Sequence, residues 1–197
     1  MSAIIAKALK STEPIEAGSY IARCYRMIHI GTAVTPFANE DGTPKKINKV
    51  LIGFELPTET KVFNEEKGLQ PCVISKEYTL SLHEKSKIRP LIESWRGKKF
   101  DDAEIETFDW TKLVGVPCML SIVHNDKGYA EIAGISKLPK GTECPPQVNA
   151  SQIVDWETVK LDIIALLPKF IQEKMKVTDE YKAKFGAEVS ADEIPFE

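Results

Sequence analysis

The run GSYIARCYRMIHIGTAV, residues 18–34, does most to narrow what this chain can fold into. It is long, rich in β-branched and aromatic residues, and alternates roughly between apolar and polar, which is the pattern of a half-buried strand. The alternation falters near Arg26. A polar stretch, PFANEDGTPKK, comes next, with Asp41-Gly42 and Pro44 as breakers. KVLIGFELP then reads as a second strand closed by Pro57. Val50, Ile52, Phe54 and Leu56 share one face, and Lys49, Leu51 and Glu55 share the other. Residues 58–70 read as a charged loop, and CVISKEYTLSLH as a third strand with Ile74, Tyr78, Leu80 and Leu82 in one parity.

Periodicity changes at SKIRPLIESWRG. Ile88, Leu91, Ile92 and Trp95 recur at helical spacing, with Ser86 as the expected N-cap and Gly97 as the expected stop. Pro90 fits only in a first turn, so the helix is short. Beyond the acidic segment FDDAEIETFDW, the strands VPCMLSIVH and GYAEIAGISKL form a hairpin around Asn125-Asp126-Lys127-Gly128. The order is strand, strand, strand, helix, strand, strand. It predicts a mainly β chain built on an OB-fold, a five-stranded Greek-key barrel with a helix between strands three and four. An SH3-like barrel and an open sandwich are the alternatives.

PKGTECPPQ, residues 139–147, ends the barrel as a breaker-rich linker. VDWETVKLDIIALLPKFIQEKMKV reads as helix, bent or restarted near Pro168. Thr178, before Asp179 and Glu180, caps a further short helix that is expected to stop at Gly186. The expected organisation is an arm (1–17), a barrel domain (18–140), a linker with C-terminal helices (141–186) and a disordered acidic tail (187–197). The helices over 157–185 either cap the barrel or pair two copies as a homodimer, and both readings stay open.

Charge is unevenly placed. The formal net charge is -3, yet residues 1–100 carry 16 Lys and Arg against 11 acids, and residues 101–197 carry 10 Lys against 18 acids. A basic half joined to an acidic half suggests a binding surface with a separate acidic appendage. No run approaches the ~18 apolar residues of a membrane span, and the N-terminus lacks the pattern of a signal peptide. A cytoplasmic protein is expected. Cys24, Cys72, Cys118 and Cys144 lie far apart with no CxxC, which reads as four reduced structural thiols.

Catalytic patterns are missing from the sequence: it holds no GxxxxGK[ST], no GxSxG and no HExxH. His29, His83 and His124 are isolated. A metal-dependent nuclease using Asp101, Asp102, Glu104 or Glu106 is a remote alternative. The expectation is a non-enzyme with no cofactor and no metal.

Basic and aromatic residues interleave where a barrel of this order offers a groove, supplying charge for phosphates and ring faces for bases. They are Arg23, Tyr25 and Arg26 on strand one and Phe37, Lys45, Lys46 and Lys49 around the first loop. Lys76 and Tyr78 on strand three and Lys127 and Tyr129 at the last hairpin complete the set.

The end of the chain is its most specific feature. AEVSADEIPFE holds four acids and no base, so it buries little surface and is expected to be mobile. Ile194 and Phe196 can enter an apolar pocket on a partner while Asp192 and Glu193 meet a basic rim. Pro195 limits the conformational freedom lost on binding. Asp192, Glu193, Ile194, Pro195 and Phe196 resemble the DDIPF-type tip of bacterial and phage single-stranded DNA-binding proteins. Glu197 follows the phenylalanine, on which bacterial members end. The segments WRGKKF, LVGVPCMLSIVHNDKGYAEIAGISKLPKG and LPKFIQEKMKVTDEYK look more like phage-encoded members, a likeness spread over roughly residues 15–185. The resemblance implies protection of single-stranded DNA in phage-type replication, recombination or repair, in the host cytoplasm. It also implies a tip that recruits replication or recombination proteins and competes with DNA for the groove. The rival expectation is a protein-interaction adaptor with negligible DNA affinity.

Overall fold

The computed structural model describes residues 14–192, the last six of them by backbone alone. Six strands form one open sheet. They are β1 (Gly18–Ala38), β2 (Pro44–Asn64), β3 (Gly68–Thr79), β4 (Pro117–His124), β5 (Ala130–Ser136) and β6 (Gln152–Val154). The path runs β3-β2-β1-β4-β5 with antiparallel neighbours, and β6 lies parallel to β1. The expected barrel is not closed: β3 and β5 form no backbone ladder with each other. A side chain spans the gap instead, the Lys76 ammonium donating to the Ile132 carbonyl at 2.8 Å.

Helix α1 (Ile88–Arg96) falls between β3 and β4 as expected. Gly97 ends it in the left-handed region at φ 71°, donating its N–H to the Glu93 carbonyl. Ser86 does not cap it. The N-cap is Lys87 without a side-chain bond, and the Ser86 hydroxyl is buried and unpartnered. The acidic segment forms α2 (Asp102–Thr107) and a 3-10 turn at Trp110–Leu113.

Two strands outrun their sequence limits. β2 continues through Pro57 to Asn64, pairing Val62 with Leu69 in a stretch that reads as a loop. Pro57 is tolerated because it lies in a register shift between Leu56 and Thr60, where no regular ladder bond is required. β1 is interrupted at Tyr25 and again at Ile30, each an extra residue opposite β2. The first bulge is the faltering alternation near Arg26, and it reverses the facing of the residues beyond it. Ala22 and Cys24 face the inner core, then Met27 does, while Ile28 and Ile30 face outward.

Two cores result. The inner one joins Val50, Ile52, Phe54, Leu56, Ile74 and Tyr78 to α1, where the Trp95 ring packs tilted against Phe54, centres 5.5 Å apart, and donates to the Pro117 carbonyl. The outer one buries Ile28, Ile30 and Leu51 under α3 (Leu161–Ala165), α4 (Lys169–Lys176) and α5 (Asp179–Asp192). α4 restarts after Pro168, as the sequence indicates. Thr178 accepts the Tyr181 N–H at 3.3 Å, but α5 does not stop at Gly186; it runs on to Asp192. These helices cap the sheet, answering one of the two open readings. All four cysteines are free thiols, three of them buried and Cys144 half-buried.

Candidate nucleic-acid interface

Where β3 and β5 part, the molecule has a cleft of about 1100 Å³. Lys45, Lys46, Ile47 and Asn48 of β2 form one wall, with Lys76 to Thr79 of β3 beside them. The turn after β3 supplies Leu80, Ser81, His83, Lys85 and Lys87, and Ile132 and Ala133 of β5 line the far side. Five lysines and a histidine thus face one carboxylate, Glu77, on a chain of net charge -3.

The single acid is already engaged: Glu77 pairs with Lys49 at 3.5 Å and with Lys174 of α4. Lys46 pairs with Asp179 of α5 at 2.7 Å, and Lys76 with Glu131 of β5 at 4.0 Å. Lys45, Lys85 and Lys87 are exposed and make no ion pair among the described residues. A concave wall of unpaired ammonium groups focuses positive potential and attracts a polyanion. Tyr78 lines the floor with its ring buried; its hydroxyl is buried without a partner, and burial pushes the phenol well up.

Of the eleven expected groove residues, Lys45, Lys46, Lys76 and Tyr78 line this cleft. Lys49 is adjacent through Glu77. Phe37, Lys127 and Tyr129 lie outside the lining, exposed on the β1–β2 and β4–β5 hairpins. Phe37 is 70% exposed and Tyr129 65%.

Three expectations need correction. Tyr25 offers no stacking face: as the extra residue of the first bulge it is buried, with the Arg26 guanidinium 5.1 Å from its ring centre. Burial raises its phenol above the ordinary value. Arg23 does not face the cleft. Its guanidinium donates to the carbonyls of Gly115 (2.7 Å), Cys144 (3.3 Å) and Pro145 (3.0 Å). Tyr78 serves as core and floor, not as an open platform. Arg26 is half-buried with its Nε unpartnered, packed against Gly53, where an added Cβ would meet the Arg26 Cβ at 3.0 Å.

His83, Lys85 and Lys87 are cleft residues that sequence reasoning missed. Their only signal was a polar turn between strand and helix, and nothing periodic marked them. Phe63, at the β2–β3 tip and half exposed, was hidden in the supposed loop.

Two acids of the nuclease alternative, Asp101 and Glu104, have structural work. Asp101 and Glu104 close a capping box on α2, and Glu104 also pairs with Arg96 at 2.7 Å and with Lys98. The Lys98 bond comes first among the causes that hold the Glu104 carboxyl down at about 2. Asp192 lies in the backbone-only end of α5, and Glu193, Ile194, Pro195 and Phe196 lie outside the described residues. No described helix is long and apolar enough to cross a membrane. Comparison of the chain with protein-family models, curated proteins and solved structures yields no match in any of the three.

Proposed function

We propose that this chain binds single-stranded DNA, without catalysis and with little sequence preference, in the lysine-lined cleft between β2, β3 and β5. The carrying observation is the concentration of five lysines and a histidine around one engaged glutamate. The fold supports the reading: the order β3-β2-β1-β4-β5, with α1 between β3 and β4, matches the strand order expected of an OB barrel, with β3 and β5 left unjoined. Exposed aromatics on the flanking hairpins, Phe37 and Tyr129, suit stacking on bases, worth roughly 1–3 kcal/mol each. The tip Asp192 to Phe196 recruits replication, recombination or repair proteins in this reading, and its acids compete for the lysines.

Fluorescence anisotropy of a labelled oligo-dT at two salt concentrations tests it. Phosphate contacts from the three unpaired lysines, Lys45, Lys85 and Lys87, predict a log–log salt slope of about -2, or roughly a twentyfold weakening between 50 and 200 mM salt. A flat response would remove the cleft from consideration. The adaptor reading draws on one observation, the exposed Leu166 and Phe170 on the C-terminal helices. It predicts no retention on single-stranded DNA.

A further inference from the structure

A second, smaller pocket of about 230 Å³ adjoins the lysine cleft, the two sharing Leu80 as a common wall. We propose that it receives one unstacked nucleobase from the strand lying in the cleft. This rests on the single-stranded DNA reading above and adds a base-holding site to it.

The lining determines what can enter. Val50, Leu80 and Ile153 supply aliphatic surface, and Phe108 and Trp110 supply rings whose centres lie 6.0 Å apart in an edge arrangement. Both rings are half-buried, so part of each still faces solvent. The volume is below the ~300–1,000 Å³ of pockets that enclose drug-sized molecules, and suits a single planar ring. The charged groups at the rim are carboxylates, Asp109 and Asp155. Asp109 Oδ1 is held by the Thr111 N–H and hydroxyl at 2.9 and 2.6 Å, and Asp155 is held by Glu157 and Thr158. These bonds, with Lys112 near Asp109 and Lys184 near Asp155, keep both carboxyls below their ordinary range.

Fixed anions repel phosphate, so the strand's backbone stays on the lysines while a neutral base turns toward the apolar side. A base's N–H donors then meet carboxylate acceptors at the rim. Only an unstacked base can make this turn, because a paired base is held in its duplex. The pocket therefore favours single strand over duplex, which a row of lysines alone does not.

The test compares oligo-dT with an abasic phosphodiester of equal length, on the wild-type chain and on Ile153→Trp. Ile153 is partly exposed on β6, where an aromatic is tolerated and would fill the pocket. Wild type is expected to favour oligo-dT over the abasic strand by roughly tenfold or more. Ile153→Trp is expected to shrink that preference several-fold at unchanged abasic affinity. Trp110→Leu, which keeps apolar packing, should act in the same direction. An undiminished preference in both variants overturns the pocket and leaves the cleft standing. If neither oligomer binds wild type, the cleft itself fails and the pocket falls with it. Thymidine monophosphate offered alone is expected to compete poorly; competition at parity would assign the pocket to a free nucleotide and overturn the placement of a strand.

Discussion

Arg23 and Glu55 stand directly opposite each other on β1 and β2, yet form no ion pair; each binds the backbone of the same passing segment. Arg23 takes the Cys144 and Pro145 carbonyls, and Glu55 accepts from the Val148 N–H, the Asn149 N–H and the Asn149 amide at 2.7–2.9 Å. Residues 144–149 are thereby strapped across the sheet, delivering β6 to the edge of β1 that β4 has left. A fully buried carboxylate is tolerable here because three donors replace its water.

Removing that acceptor should be costly. Glu55→Ala orphans buried donors, and a bond to a charged group is worth about 1.5–3 kcal/mol. We expect a loss of about 3 kcal/mol, lowering Tm by roughly 6–12 °C for a chain of this size. Thermal unfolding followed by circular dichroism measures it; a shift under a degree would show that the strap is ornamental to stability.

Gly31 is the seat of the C-terminal helices. Its φ is 107°, and a Cβ there would lie 2.7 Å from Glu180 Oε2 and 2.9 Å from the Thr178 side chain. Gly31→Ala therefore meets both backbone strain and a collision, about 1–3 kcal/mol for the strain alone. The expected outcome is undocking of α5, read as faster tryptic cleavage at Lys182 and Lys184.

The same contact should loosen in acid. Burial tends to raise the Glu180 carboxyl, but the Thr32 N–H at 2.6 Å and hydroxyl at 2.8 Å outweigh it and hold the group below its ordinary 4.5; nearby His29 adds to the lowering. A depressed carboxyl contributes stability that is full above its unfolded value and lost as pH falls through its folded one. Peptic cleavage of α5, measured relative to an unstructured peptide at each pH, should accelerate as pH drops below 4.5. Glu180→Gln should cleave readily at neutral pH and show less added acid sensitivity than wild type. Equal pH profiles would place the switch on other carboxylates.

Charge reversal locates the binding surface. Lys85→Glu with Lys87→Glu should weaken oligo-dT binding and flatten the salt slope by about 0.7 for each phosphate that is no longer neutralised. Lys127→Glu, outside the cleft lining, should do less. The opposite ranking would move the strand to the β4–β5 hairpin.

Cutting the chain after Asp192 removes the apolar tip and two acids while sparing Tyr181 and Phe185 in the outer core. If the tip competes for the lysines, the shortened chain should bind oligo-dT more tightly, most visibly at low salt. Unchanged affinity would separate the tip from the cleft.

Local pattern alone determined the alternation of β2, the helix between β3 and β4, the Gly97 stop, the Asn125–Gly128 turn and the restart at Pro168. Each depends on neighbours a few residues apart, so adjacent text suffices. Tyr25 shows where that logic ends. Between two arginines it reads as an open ring, but one extra residue against β2 reversed the facing of the strand and buried it. Arg23, Glu55 and the strap meet across some ninety to a hundred and twenty residues. Tertiary structure alone brought His83, Lys85 and Lys87 to the cleft beside Lys45 and Lys76, and left β3 and β5 unjoined. Pairing register and long-range contacts are properties of the folded chain, and no local periodicity encodes them.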